Sequence, residues 1–362
     1  MAVVFLIIGL ILFVGLVVLH ELGHALVAKR NGVVVEEFGV GFPPRAGARK
    51  LKSGMVLSLN WLPLGGFVKL RGENDAAKGK GTYGGANLWV KTKILLAGVV
   101  VNWLTAVVIF TVLALVGLPK ILPNQFAITS DNQVITNNVV AADVGKDSPA
   151  AKAGMQAGDE LISFDGQKVT TADQFAEFTK SHAGKTVPVV YKRGGQERQA
   201  SVTLNTDNSG GKGYIGIGAA EQTAQRATWS APIVGVGITV QFTYETFKGL
   251  AQTLGNLFSA HFAAAGQNVT GPVGIFSILQ SSAQGGLVPV LFLIGIISLT
   301  LAVMNALPIP ALDGGRLFVT LLFRALKKPL TKEREEAIQA AGMMALLALM
   351  VLITILDVKR FF

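Results

Sequence analysis

Residues 17–30 read VVLHELGHALVAKR and close an apolar run that begins at Ala2. On a helix, positions i and i+4 share a face, so His20 and His24 can hold one metal ion. Glu21 then stands beside that ion as a general base for a bound water. Ionisable side chains within a bilayer are costly unless paired or coordinated. The plainer alternative is a helix end at the interface with histidines that merely snorkel.

Ala2–Leu19 alone spans about 27 Å at the helical rise of ~1.5 Å per residue, nearly a hydrocarbon core. No basic segment precedes it and no small-residue cleavage site follows, so it reads as a retained membrane helix and not a signal peptide. The whole composition agrees: 51% of 362 residues are hydrophobic and 15% charged, well below the charge content of soluble domains. Mean hydropathy is +0.50. With no cysteine, disulfides, thiolate ligands and a cysteine nucleophile are excluded. The net charge of +10 is read as loop orientation and contact with anionic lipid. No nucleic-acid motif is present, and no nucleic-acid partner is expected.

The expected fold is a polytopic α-helical membrane protein with membrane-associated β-hairpins and an inserted α+β domain. Four spans are expected, at about 3–28, 94–118, 288–308 and 341–356. They divide the chain into an N-terminal membrane part (1–118), a soluble domain (122–220), an amphipathic interfacial segment (221–287) and a C-terminal membrane part (288–362). Loop 29–93 carries twelve Lys/Arg in 65 residues, and 309–339 carries six. Residues 119–286 carry twelve in 168. The positive-inside rule puts the first two in the cytoplasm, with 119–286 and both termini outside. Lys359 and Arg360 run against this assignment.

Within 29–93, GVVVEEFGVGF and GMVLSLNWLPLGGFVKL read as strands punctuated by Gly and Pro. Close to the helix end, they are expected to dip into the membrane surface. In 122–220, a strand, a short helix after Ser148-Pro149, the strand around Ile162, a turn at Asp165-Gly166, a second helix and a hairpin turned at Gly194-Gly195 follow in order. Residues 229–262 mix apolar residues with Gln241, Glu245 and Lys248, which suits an interfacial helix better than a span.

A catalytic zinc takes three protein ligands and keeps one position open. The candidates for the third are His182, His261 and Asp313, in MNALPIPALDGGR directly after the third span. Pro308 and Pro310 break the helix there, and Gly314-Gly315 lets the backbone turn so that Asp313 points back inward. Otherwise Asp313 simply caps a helix beginning at Gly315. His20 and Asp313 both fall at the cytoplasmic side of their spans, an agreement not built into the topology. Asn305, a polar residue within a span, either holds substrate backbone or an oxyanion or makes an interhelical hydrogen bond. A substrate helix must unwind to expose a scissile carbonyl, and a strand edge of the loop can take up the unwound segment.

With HELGH (20–24), Gly39 and Gly41 of EFGVGF, PLGGFVKLRGE (63–73), AGVVVN (97–102), TGPVGI (270–275) and MNALPIPALDGG (304–315), the chain resembles the site-2 protease family of intramembrane metalloproteases. It is most similar to the bacterial regulator of sigma-E protease branch. The resemblance covers nearly the whole chain. It implies one zinc per chain at His20, His24 and Asp313, with Glu21 catalytic. It also implies substrate positioning by Asn305, Pro308 and the glycines of the membrane-dipping strands, Gly39, Gly41, Gly65 and Gly66. The implied substrates are membrane-spanning proteins, such as an anti-sigma factor or a signal-peptide remnant, cut in a bacterial inner membrane. SPAAKAGMQAGDELISFDGQKV makes the outer domain resemble a PDZ domain of the permuted bacterial type. There Gly213, Tyr214, Ile215, Gly216 and Ile217 would match the carboxylate-loop strand and receive a peptide C-terminus, unless the groove only excludes bulky substrates. Two departures stand out: one PDZ domain where close relatives in that branch have two, and Val99 where the family usually shows Pro. The competing readings are a membrane quality-control zinc protease, a metal transporter and a non-enzymatic PDZ scaffold.

Overall fold

The computed structural model describes residues 1–208, 213–259 and 269–361; His261 lies outside them. Among these residues four helices are long and apolar enough to cross a membrane: α1 (Ala2–Arg30), α2 (Leu88–Val116), and two near the C-terminus, Leu287–Ala306 and Lys332–Phe361. They correspond to the four expected spans. Helices α2 and Lys332–Phe361 begin six and nine residues earlier than expected, because polar and charged N-terminal turns continue each helix.

The chain forms two compact units, residues 1–6, 110–237 and 279–292, and residues 7–109, 238–278 and 293–362. In the second unit, α1 is followed by a hairpin of β1 (Val35–Lys50) and β2 (Val56–Leu70). β1 is longer than expected and bends, and β2 folds about it. Residues 56–60 pair with 45–50 on one side and with 37–40 on the other, and 66–70 pair with 35–40. Asn60 fixes the bend by donating to the carbonyls of Val40 (3.2 Å) and Gly41 (3.1 Å). Phe42, Leu57, Leu59, Trp61 and Leu62 are exposed on this hairpin, the apolar surface expected of strands that dip into a membrane.

The first unit holds a sheet of β3 (Leu118–Pro119), β4 (Gln133–Val144), β5 (Glu160–Phe164), β6 (Gln167–Lys168), β7 (Thr186–Arg193), β8 (Gln196–Thr203) and β9 (Ile217–Arg226). Every pairing is antiparallel, in the order β3-β9-β4-β5-β7-β8, with β6 on β5. Two helices pack on it: α3 (Pro149–Lys152), whose N-cap Ser148 accepts from Ala151 N, and α4 (Ala172–Ser181), whose N-cap Thr171 accepts from Gln174 N. Gly194 (φ 58°) and Gly195 (φ 84°) make the β7–β8 turn, which needs positive φ at both positions. Val139, Leu161, Phe164, Phe175, Val189 and Val202 form the core. The sheet outruns the expected boundary at 220, because β9 stays paired with β4 as far as Arg226.

Helix α5 (Ala231–Phe258) follows. Ile233, Val236, Val240, Tyr244, Phe247 and Leu254 are exposed on it, at a helical spacing that marks one apolar stripe. Its start is pinned by Asp131, whose carboxylate accepts from the hydroxyls and backbone N–H groups of Thr228 and Ser230 at 2.6–2.9 Å. Those bonds, led by the Thr228 hydroxyl, hold Asp131 well below the usual carboxylate range. The remaining elements are α6 (Pro272–Gln284), α7 (Leu287–Ala306), α8 (Asp313–Ala325) and α9 (Lys332–Phe361). Asp357 of α9 accepts from Gly274 N (2.8 Å) at the start of α6.

Candidate metal centre

HELGH lies on the C-terminal half of α1, and α2 crosses it closely. A Cβ at Gly23 would stand 2.9 Å from the Ala97 carbonyl oxygen, so only glycine permits this approach. His20 and His24 are buried between the helices. Asp313 opens α8 from the far end of the chain. It does not cap the helix: Leu312 is the N-cap and no side chain fills that role. Gly314 and Gly315 are needed for a different reason from the one expected. Neither has positive φ, whereas Ala311 does (φ 79°). A Cβ at either glycine would collide with carbonyls of Ala306, Leu307 or Ile309. The two glycines let α8 start flat against the segment that leaves α7, and this returns Asp313 to the histidines.

Three donor atoms converge. His20 Nε2 is 3.1 Å and His24 Nε2 3.3 Å from Asp313 Oδ2, and the two nitrogens are 3.2 Å apart. A tetrahedral zinc with ligands at ~2.0–2.1 Å has ligand–ligand edges of roughly 3.3–3.4 Å. Two imidazoles and a carboxylate on one triangular face of those dimensions fit zinc and leave the fourth position open. Among the described residues, this is the one cluster of three or more such groups that can hold a metal ion. His182, the other histidine described, bonds to the Phe178 carbonyl and lies 3.3 Å from Asp165 within the sheet domain.

A cavity of about 100 Å³ joins Glu21, His24 and Asp313 to Glu73, Tyr83, Ile94 and Arg316. Glu21 therefore shares one space with His24 and Asp313. Arg316 ties the centre to its surroundings: Nε donates to Glu335 (3.1 Å), Nη1 to Glu73 (3.0 Å), Nη2 to the Glu73 carbonyl, and the guanidinium lies over the Tyr83 ring. Burial pushes the Tyr83 phenol above its ordinary value, so it stays neutral. Lys91, fully buried, pairs with Asp75, whose backbone N–H donates to Glu335 at 2.7 Å. Loop 71–87 is thereby fastened to α2, α8 and α9.

Of the four glycines named from the sequence, Gly66 alone borders the carboxylate, at 3.4 Å between its virtual Cβ and Glu21 Cγ. Gly39 and Gly65 make room for the rings of Phe67 and Phe42, and Gly41 (φ 77°) sits under the Leu62 carbonyl. Asn305 donates to Leu301 of its own helix (3.0 Å) and not to a neighbouring one; Pro308 is exposed. In the sheet domain Ile215 and Ile217 point into the core, while Gly213, Tyr214 and Gly216 form the turn entering β9. Sequence reasoning gave no role to Ile94, Gly98, Asn102, Glu73 or Arg316. An asparagine within a span was a signal at Asn102, but its partner lies 82 residues away.

Two buried histidines and a half-buried aspartate converging beside a glutamate, within a bundle of membrane helices, define a membrane-embedded metallopeptidase. The chain belongs to peptidase family M50, whose model matches residues 8–349. A Clostridium perfringens protein that carries the provisional name of zinc metalloprotease is 33% identical, over 98% of each chain. The regulator of sigma-W protease RasP of Bacillus subtilis is 26% identical over 98% of each chain. The zinc metalloprotease RasP of Geobacillus kaustophilus is 25% identical over 98% of this chain and 97% of its own. A PDZ domain structure from the SdrC-like protein of Listeria monocytogenes matches 24% of this chain and 93% of its own, at 30% identity and a TM-score of 0.22. The protein is a multi-pass membrane zinc metallopeptidase.

Proposed function

We propose that this enzyme cuts a peptide bond inside the membrane-spanning segment of a protein substrate, with His20, His24 and Asp313 holding the zinc and Glu21 as general base. The observation that carries the reading is the convergence of the three donor atoms, two of which, on His24 and Asp313, share a cavity with Glu21. When bound, zinc supplies a Lewis acid that polarises the scissile carbonyl and makes water a nucleophile near neutral pH. Glu21 takes the proton of the attacking water and delivers it to the leaving amine. The two imidazoles and Asp313 leave one side open for carbonyl and water. Gly66 brings bare backbone against Glu21, and the far edge of residues 66–70 pairs with no strand among those described. An unwound substrate segment adds there as a further strand.

The charge distribution supports a cytoplasmic location for 29–93 and 309–339, which puts the centre near that face and the sheet domain outside. We read the sheet domain as a PDZ module. Beside α4, no described strand pairs with the second edge of Gly218–Gln222, and the Ala172 N–H there meets Glu221 (3.3 Å). That edge is where a peptide C-terminus would add. The candidate substrates are an anti-sigma factor or a signal-peptide remnant; the Bacillus subtilis relative is named a regulator of sigma-W protease.

The test is co-expression with tagged single-span reporters, beside Glu21→Gln, with zinc measured in both preparations. Cleavage by the parent alone, with zinc retained in both, is expected. Zinc in both with no reporter cut favours a transporter; no zinc in either overturns the ligand set.

A further inference from the structure

Three successive turns of α2 face the ligand histidines. At the first, the Ile94 carbonyl lies 2.7 Å from His24 Nδ1. At the second, a Cβ on Gly98 would stand 2.6 Å from the Nε2 atoms of both His20 and His24. At the third, Nδ2 of the buried Asn102 amide lies 3.3 Å from His20 Nδ1, and its Oδ1 has no hydrogen-bond partner among the described residues. The Ser298 hydroxyl, fully buried on α7, donates to the Asn102 backbone carbonyl (2.8 Å) and fixes this turn.

We infer that α2 supplies the outer shell of the metal centre, with Asn102 the residue that positions His20. An imidazole can ligate through Nε2 only if its proton sits on Nδ1. His24 has that proton held by the Ile94 carbonyl. Among the described residues His20 has only the Asn102 amide within reach of Nδ1, and the oxygen and nitrogen of that amide exchange by a simple flip. With Oδ1 toward His20, the amide accepts the Nδ1–H, satisfies an otherwise orphaned buried oxygen, and aims the Nε2 lone pair at the ion. The opposite orientation places the proton on Nε2, facing Asp313, and cannot hold metal. Gly98 belongs to the same device: any side chain there would fill the space in front of both ligand nitrogens. An acceptor at 102 and no side chain at 98, one turn apart, are thus the requirements the helix meets.

The inference rests on His20 and His24 as metal ligands. Its test is zinc affinity of the full chain in detergent, by competition with a chelator, together with the visible absorption of the cobalt-loaded form. Outer-shell partners are typically worth about 10–100-fold in metal affinity. Asn102→Leu, similar in shape and without an acceptor, is expected to lose that much and to alter the cobalt spectrum. Asn102→Asp keeps an acceptor and is expected to stay within a few-fold of the parent. Thermal unfolding of the metal-free forms separates positioning from stability. Unchanged metal-free stability with weakened zinc supports the role; lowered metal-free stability with parental affinity overturns it. So does an Asp variant that folds yet binds as poorly as Leu. If Leu does not fold, the Asp variant decides alone, parental affinity supporting the inference and a tenfold loss overturning it. A parent chain that binds no zinc overturns the ligand set, and the Asn102 role with it.

Discussion

Asp313 and Glu21 are both carboxylates beside the same histidines, yet their substitutions should separate. Asp313→Asn trades an anionic ligand for a neutral amide, so zinc content measured after gel filtration should fall at least tenfold, and cleavage with it. Glu21→Gln keeps the shape but removes the basic carboxylate, so it should keep the zinc while losing turnover. HELGH was legible because helical periodicity places i and i+4 on one face whatever the tertiary structure. Asp313 was legible once the chain offered no cysteine and few histidines. Asn102 was not, because the sequence of an apolar helix does not say which of its faces meets which neighbour. That choice is made by Gly23 packing on Ala97.

At the scale of elements, the approach of α8 to the end of α7 and the Arg316 clamp hold Asp313 in place. Removing Arg316 would strand the buried Glu335 carboxylate, and breaking such a pair costs about 3 kcal/mol or more. Arg316→Ala should therefore lower the midpoint of thermal unfolding and loosen zinc binding together. On the hairpin, Gly66→Val should leave zinc content intact and suppress cleavage of reporters, because the new side chain would stand against Glu21. The strands themselves were foreseeable from their Gly and Pro punctuation. The bend of β1 was not, since it depends on Asn60 bonding to carbonyls about 20 residues earlier. Likewise the end of β9 follows from pairing with β4, a non-local contact that composition does not reveal.

For the whole molecule, the natural absence of cysteine makes the topology directly measurable. A cysteine placed at Lys78 should react with an impermeant thiol reagent only in inverted vesicles, and one at Gly166 only in intact cells stripped of any outer membrane. The reverse pattern would overturn the assigned orientation. The unit that holds the sheet should also respond to acid through Asp131. Its folded pKa is depressed, so its contribution is complete above the unfolded value of about 3.9 and is lost as pH falls through the folded one. Asp131→Asn should therefore melt below the parent at pH 7, with the gap narrowing below roughly pH 4. The four spans were plain from hydropathy. The division into two compact units was not, since residues 1–6 and 279–292 join the sheet domain's unit from either end of the chain.

The open edge of residues 66–70 bears on selectivity. A site that grips main-chain amides reads little of the side chains it receives. What it demands is a segment willing to stop being a helix, and an apolar helix in lipid gives up its internal hydrogen bonds only at considerable cost. Discrimination among substrates then lies largely in the substrates themselves. Glycine, proline or asparagine near the scissile bond would mark a protein for cutting, and an unbroken leucine stretch would protect it. The enzyme would act as a sensor of helical weakness more than a reader of sequence.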